Sequence, residues 1–171
     1  ALSTDKASSP INLYGATKLC SDKLFISSNN FFGKRQFVVV RYGNVAGSRG
    51  SVLPLFIDQA KKNEFTVTDP NMTRFNISLE RGIKTVEWAA NNCLGGEIVV
   101  PKIKSYKILD VIKSFSNKPK IKTIGIRFGE KIHEEMISIH DSKNTYKIGD
   151  YYVILPHGDK KNLDFYRSKT K

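Results

Sequence analysis

Cysteine is scarce in this chain of 171 residues: there are two, Cys20 and Cys93, both in stretches with helical spacing. Two thiols so placed make neither a disulfide framework nor a metal-binding pattern, which leaves reduced packing residues as the reading. Long apolar runs are missing as well. No stretch approaches the roughly 20 residues needed to span a bilayer, and no basic-then-apolar leader stands at the start. The expectation is a cytoplasmic protein with no membrane partner. His133 and His140 fall in HEEMISIH, which is not H-E-x-x-H, so packing or surface roles are expected and no metal. Asn71 and Asn76 open N-x-S/T triplets that carry no weight in a chain without a leader. A last absence matters more: no G-x-G-x-x-G follows a strand and opens a helix, the usual seat of a pyrophosphate in α/β nucleotide-binding proteins. Either the protein binds no dinucleotide, or the part that does lies elsewhere.

Acidic residues are outnumbered, 16 against 28 basic ones, for a net charge of +12. This admits a basic nucleic-acid-binding module as one class of function. Lysines (21) far exceed arginines (7) and are spread along the whole chain, however. The densest cluster, KPKIK at 118–122, has no interleaved aromatics on which bases could stack. A solvated, lysine-rich surface that draws in an anionic small substrate, with no nucleic acid partner, is the preferred reading.

What is present alternates in period. Ala1–Ser3 read as the end of a strand. Leu13, Ala16, Cys20 and Leu24 recur at helical spacing between about 12 and 29, with Pro10 just upstream. QFVVVRY (36–42) is the β-branched run of a strand buried on both faces, and it ends in the glycine-rich loop YGNVAGSRGSV. Further helices are expected over 52–62, from Ser78 to about 92, from Ser105 to about 115, and over 129–137; further strands over 65–68, 97–100, 121–126 and 151–155. The residues after 155 read as a charged, frayed tail. Strands alternating with helices imply an α/β fold with a largely parallel sheet.

Tyr14 and Lys18 stand one helical turn apart. With 7 tyrosines and 21 lysines in the chain, about one such pair is expected by chance. Their position is more informative. They open a helix just after a strand end and the polar turn Ser-Thr-Asp-Lys, at the carboxyl edge of a parallel sheet, where ligands bind.

The stretch STDKASSPINLYGATK (3–18) resembles the active-site segment of extended short-chain dehydrogenase/reductases, most closely the inverting UDP-N-acetylglucosamine 4,6-dehydratases of pseudaminic acid biosynthesis. The likeness continues in order through RYGNVAGSRGSVLP (41–54), MTRFNIS (72–78), GGEIVVPKI (95–103) and GIRFGEKIHEEMI (125–137). It departs at Phe128, where the family usually has Pro, and at Asn76, often a bulky residue. The resemblance implies the C-terminal part of an NAD(P)-binding Rossmann-like fold, with the glycine-rich half upstream. Residues 1–46 and 75–101 would complete its sheet, 47–74 and 102–150 would form a small α/β nucleotide-sugar domain, and 151–171 a terminal strand and tail.

The same resemblance implies a lyase that uses NADP and UDP-N-acetylglucosamine, a homo-oligomer when whole, in a polysaccharide or flagellin-glycosylation pathway. It implies that this portion alone is inactive. C4 of the sugar is oxidised, water is lost across C5 and C6, and hydride returns to C6 with C5 inverted. Tyr14 would take the O4 proton, Lys18 would assist it and hold the nicotinamide ribose, and Thr4 would orient O4. Asp5 would protonate the leaving C6 hydroxyl and Lys6 would take the C5 proton. Since that chemistry needs Asp5 neutral and Lys6 uncharged, their side chains are expected to diverge. Tyr42, Gly43, Asn44 and Val45 would pass beside the nicotinamide, glycine allowing close approach. Asn44 would also reach the sugar, Arg49, Arg74 and Arg127 the diphosphate, and Glu130 the uridine ribose. A related capsule or O-antigen dehydratase or epimerase is the alternative within the family.

Overall fold

The computed structural model describes residues 1–32, 36–156 and 160–169. Strand β1 (Leu2–Thr4) leads through a 3-10 turn (Asp5–Ala7) into α1 (Leu13–Ser28). Then come β2 (Val39–Tyr42), β3 (Asn44–Val45), α2 (Val52–Ala60), β4 (Glu64–Val67), β5 (Thr73–Ile77), α3 (Leu79–Asn92) and β6 (Ile98–Pro101). The remainder is β7 (Ser105–Lys107), α4 (Ile108–Phe115), β8 (Lys120–Thr123), the single turn α5 (Ile139–Ser142), β9 (Thr145–Ile148), β10 (Tyr151–Ile154) and α6 (Lys160–Lys169).

The chain forms two compact units, one of residues 1–42, 80–102 and 135–171, the other of 43–79 and 103–134. The first is built on a five-stranded sheet in the order β1-β2-β6-β10-β9. Strands β1, β2 and β6 run parallel, and β10 is antiparallel to both β6 and β9. Val39 and Val99 are fully buried, as expected of apolar strands covered on both faces. Val40, Ala89, Cys93, Val99 and Tyr151 form its main cluster, and Trp88 stacks on Tyr151 with 4.3 Å between ring centroids. The second unit holds a three-stranded sheet β3-β5-β7, the parallel pair β4-β8, and a core of Phe56, Phe65, Val67, Met72, Ile108 and Ile112.

Several sequence expectations are corrected here. The helix expected from Ser105 begins only at Ile108, because Ser105–Lys107 pair antiparallel with Phe75–Thr73 of β5. No helix forms over 129–137. Thr73 N–H donates to the Ile132 carbonyl at 3.1 Å and Thr73 bridges His133, which holds that segment extended beside β5. Strand β9 was not foreseen; it pairs with β10 across the turn Gly149–Asp150 and keeps residues 135–150 with the first unit. Pairing of β3 and β7 with β5 likewise assigns 43–46 and 75–79 to the second.

The tail is not frayed over 160–169. It forms α6, whose Tyr166 is fully buried against Val153 and Leu155. The helix α1 also presents an unexpected face. Leu13 is 80% and Leu24 67% exposed, Cys20 is exposed, and the buried positions are Gly15 and Asp22. Of the two cysteines, then, only Cys93 is buried within this chain.

Candidate functional site

Chain leaving the carboxyl end of β1 tightens at once into the 3-10 turn. Thr4 caps that turn, its Oγ1 accepting from Lys6 N–H at 3.4 Å, and its hydroxyl donates to Asp5 Oδ1 at 2.8 Å. Asp5 has no solvent exposure. Lys6 Nζ donates to the same Oδ1 at 3.1 Å, with its side chain 29% exposed. The expected divergence of Asp5 and Lys6 is thus replaced by a direct ion pair: a carboxylate buried on a tight turn takes the nearest donors, and these are its chain neighbours. Both converge on one oxygen. The other, Oδ2, is buried and has no hydrogen-bond partner among the described residues.

Asn12 caps helix α1, its Oδ1 accepting from Gly15 N–H at 2.8 Å. Its first turn carries Tyr14, 53% exposed, and one turn on Lys18 reaches back to the Leu2 carbonyl with Nζ at 3.3 Å. The five expected catalytic residues therefore share one unit: Thr4, Asp5 and Lys6 in a single turn, and Tyr14 and Lys18 on the helix packed against it. An exposed phenol with an ammonium one turn away, at the carboxyl end of a parallel strand, is a donor set that suits a nicotinamide ribose and a sugar hydroxyl.

Residues expected beside the cofactor divide between the units. The Tyr42 ring packs on the cluster around Val40 and Val99. Gly43 lies against Phe75: a Cβ there would come within 2.6 Å of Phe75 Cβ, so a protein contact already uses the space that glycine leaves. Asn44 and Val45 pair with Asn76 and Ile77 across β3 and β5.

The expected anion-binding arginines all lie in the second unit. Arg49 is exposed on the turn before α2. Arg74 donates from one nitrogen to the Thr73 and Ile132 carbonyls, at 2.8 and 3.0 Å, and from the other to Met72 Sδ. Those donors brace the 132 segment. Arg127 and Glu130 share a turn in which Arg127 N–H donates to Glu130 Oε2 at 3.3 Å and Glu130 N–H to the Arg127 carbonyl at 3.1 Å. Phe128, in that turn, is fully exposed.

Sequence reasoning missed the support beneath the turn. Arg41, 1% exposed on β2, donates to Asp22 Oδ2 at 3.2 Å, Asp141 Oδ2 at 3.3 Å and the Met136 carbonyl at 3.2 Å. Ser3 also donates to Asp22 Oδ2, at 2.9 Å. One buried network so joins β1, α1, β2 and the segment at 136–141. The readable signal was an arginine inside the apolar run VVVRY, since a buried guanidinium requires acidic partners.

These features define an α/β protein whose polar turn and Tyr–Lys helix meet at the end of a parallel sheet. The sequence profile of the polysaccharide biosynthesis protein family matches residues 1–156, and the chain belongs to that family. It is 55% identical over 161 residues to a UDP-N-acetylglucosamine 4,6-dehydratase (inverting) of Campylobacter jejuni subsp. jejuni serotype O:2, covering 91% of this chain and 48% of that protein. It is 42% identical over 164 residues to a UDP-glucose 4-epimerase of Rickettsia canadensis, covering 92% and 48%. Among solved structures, Pen from Bacillus thuringiensis superposes with a TM-score of 0.81 at 36% identity, covering 91% of this chain and 52% of that one. The chain spans about half the length of the curated relatives it matches.

Proposed function

We propose that the protein to which this chain contributes is a C5-inverting UDP-N-acetylglucosamine 4,6-dehydratase. The observation that carries the reading is the Thr4–Asp5–Lys6 turn beside Tyr14 and Lys18. A dehydrogenase or epimerase needs only the second pair, whereas water elimination needs its own acid and base. The higher identity to the named dehydratase than to the named epimerase supports the same choice.

Lys18 and Tyr14 would hold the nicotinamide cofactor, taken to be NADP, which supplies the chemistry of accepting a hydride from C4 and returning it to C6. Tyr14 accepts the O4 proton, with the Lys18 charge stabilising its phenolate. Thr4 orients O4, while Asn44 and the arginines Arg49, Arg74 and Arg127 serve the sugar and diphosphate. Glu130 serves the uridine ribose.

Lys6 removes the C5 proton, acidified by the C4 ketone, as Asp5 protonates the departing C6 hydroxyl and water leaves. An ion pair favours the charged form of each partner, whereas elimination needs both neutral, so a proton must first pass from Lys6 to Asp5. Moving that proton turns an ammonium and a carboxylate into an amine and a carboxylic acid within the pair, at no change of total charge. Thr4 and Lys6 both donate to Oδ1, and neither donates to Oδ2. Elimination then returns the pair to the salt-bridged form.

The test is Lys6→Ala in the whole protein, with UDP-N-acetylglucosamine in deuterated water. C4 oxidation should persist, while water loss and deuterium entry at C5 should stop. Deuterium entering C5 at the wild-type rate would remove Lys6 from the role. A wild-type product with C4 epimerised and its C6 hydroxyl intact would favour the epimerase. Turnover is expected to need the half of the relatives' length that this chain does not span, so the 171-residue chain alone should be inactive. Dehydration by it unaided would refute that.

A further inference from the structure

We infer that Gly15 is a positioning residue: it sets the distance between the Tyr14–Lys18 pair on α1 and the Asp5–Lys6 pair on the preceding turn, so that oxidation and elimination act on one sugar. The inference rests on the function proposed above and concerns a residue to which that function assigns no chemistry.

Gly15 is buried in the first turn of α1, where glycine is a weaker helix former than alanine. Its φ is not among the positive ones, so backbone conformation does not require glycine. Space does. A Cβ at position 15 would overlap the Lys6 carbonyl oxygen, lie 3.3 Å from the Lys6 carbonyl carbon and touch Pro10 Cβ at 3.0 Å. Two of these neighbours are main-chain atoms and cannot swing aside as a long side chain would. Asn12 pins the same residue from the other direction by accepting its N–H. The helix carrying Tyr14 is thereby seated on the backbone of Lys6 itself.

A methyl group at 15 removes no reacting group. It pushes the turn and the helix apart, and a shift on the order of 1 Å at reacting groups can cost about a hundredfold in rate. Tyr14 and Lys18 both ride on α1 and move together, so C4 oxidation, which draws on the turn only through Thr4, should suffer less. Lys6 and Asp5 move relative to them, so elimination should suffer most. Gly82 supplies the control. It too is buried in a helix, α3, but a Cβ there meets nothing within 4 Å.

The experiment compares wild type, Gly15→Ala and Gly82→Ala in the whole protein, with UDP-N-acetylglucosamine in deuterated water. Reduced nicotinamide absorbance in a single turnover reports C4 oxidation; NMR reports deuterium at C5 and water loss. The ratio of elimination to oxidation is read because it does not depend on the fraction of protein folded. Gly15→Ala should lower that ratio about tenfold to a hundredfold, and Gly82→Ala should leave it unchanged. Equal loss of both steps in Gly15→Ala, or no loss of either, would overturn the proposal.

If wild-type protein oxidises no C4, the functional reading fails, and the spacing claim is judged separately. With 15N-lysine labelling, and the Lys6 amide assigned through Lys6→Arg, Gly15→Ala should shift that amide and Gly82→Ala should not. An unmoved Lys6 amide would sink the spacing claim on its own.

Discussion

Asp5 and Arg41 illustrate how differently two buried charges can be treated in one unit. The Asp5 carboxylate receives two donors on one oxygen and none on the other, an arrangement that leaves an oxygen available for a proton. Arg41 instead binds two carboxylates and a carbonyl, and its network holds β1 against α1. Breaking such a pair from one side strands a charge. Arg41→Met should therefore destabilise the protein by about 3–5 kcal/mol, measured by urea unfolding. Adding Asp22→Leu should restore at least half of that loss, because the more deeply buried of the two stranded carboxylates is then gone. A double variant no more stable than Arg41→Met would show that the pair is not the source of the effect. That Thr4, Asp5 and Lys6 stand on a turn, with Tyr14 and Lys18 on the helix after it, was legible from residue type and order in the first eighteen positions. The Asp5–Lys6 pair, Gly15 and the Arg41 network were not, since each depends on which atoms folding brings into contact.

At the scale of elements, local pattern served where an element packs through its own apolar face. It failed where a neighbour's hydrogen bonds decide. The strands VVRY and IVVP and the helix 79–92 follow their periodicity. Ser105–Lys107 and the 129–137 segment do not, because β5 offers them unpaired main-chain groups. Helix α6 reads as a polar tail until Tyr166 is seen donating to buried Glu97 at 3.0 Å, with Cys93 beside both. Burial, and then the Glu97 charge, push the Cys93 thiol up from 9.0 to about 12. The folded state thus keeps a proton that the unfolded chain loses. Stability should fall as pH rises from about 9 towards about 12, by up to about 1.4 kcal/mol per unit from this group. Cys93→Ala should flatten the decline between pH 9 and 10.5 in urea titrations; an unchanged slope would assign it to other groups.

Over the whole molecule, 28 basic against 16 acidic residues make a field attractive to any anion, a nucleotide sugar or a nucleic acid. The two are separated by salt. A nucleic-acid module should hold RNA with a steep dependence of log affinity on log salt, whereas diffuse surface lysines should release it by about 150 mM salt. Filter binding across that range should show no retained RNA, and micromolar affinity surviving at 150 mM would revive the nucleic-acid reading. By itself the sequence determined the α/β class, the position of most strands and helices, and the identity of the polar turn and the Tyr–Lys helix. Those follow from local periodicity and from chemistry written in consecutive residues. Only the tertiary structure decided the division into units, the two donors on a single Asp5 oxygen, and the seating of α1 on the Lys6 carbonyl. Such facts rest on distances that only the folded chain sets, between neighbours at Asp5 and between remote residues in the sheets, and hydrophobic pattern alone does not encode them.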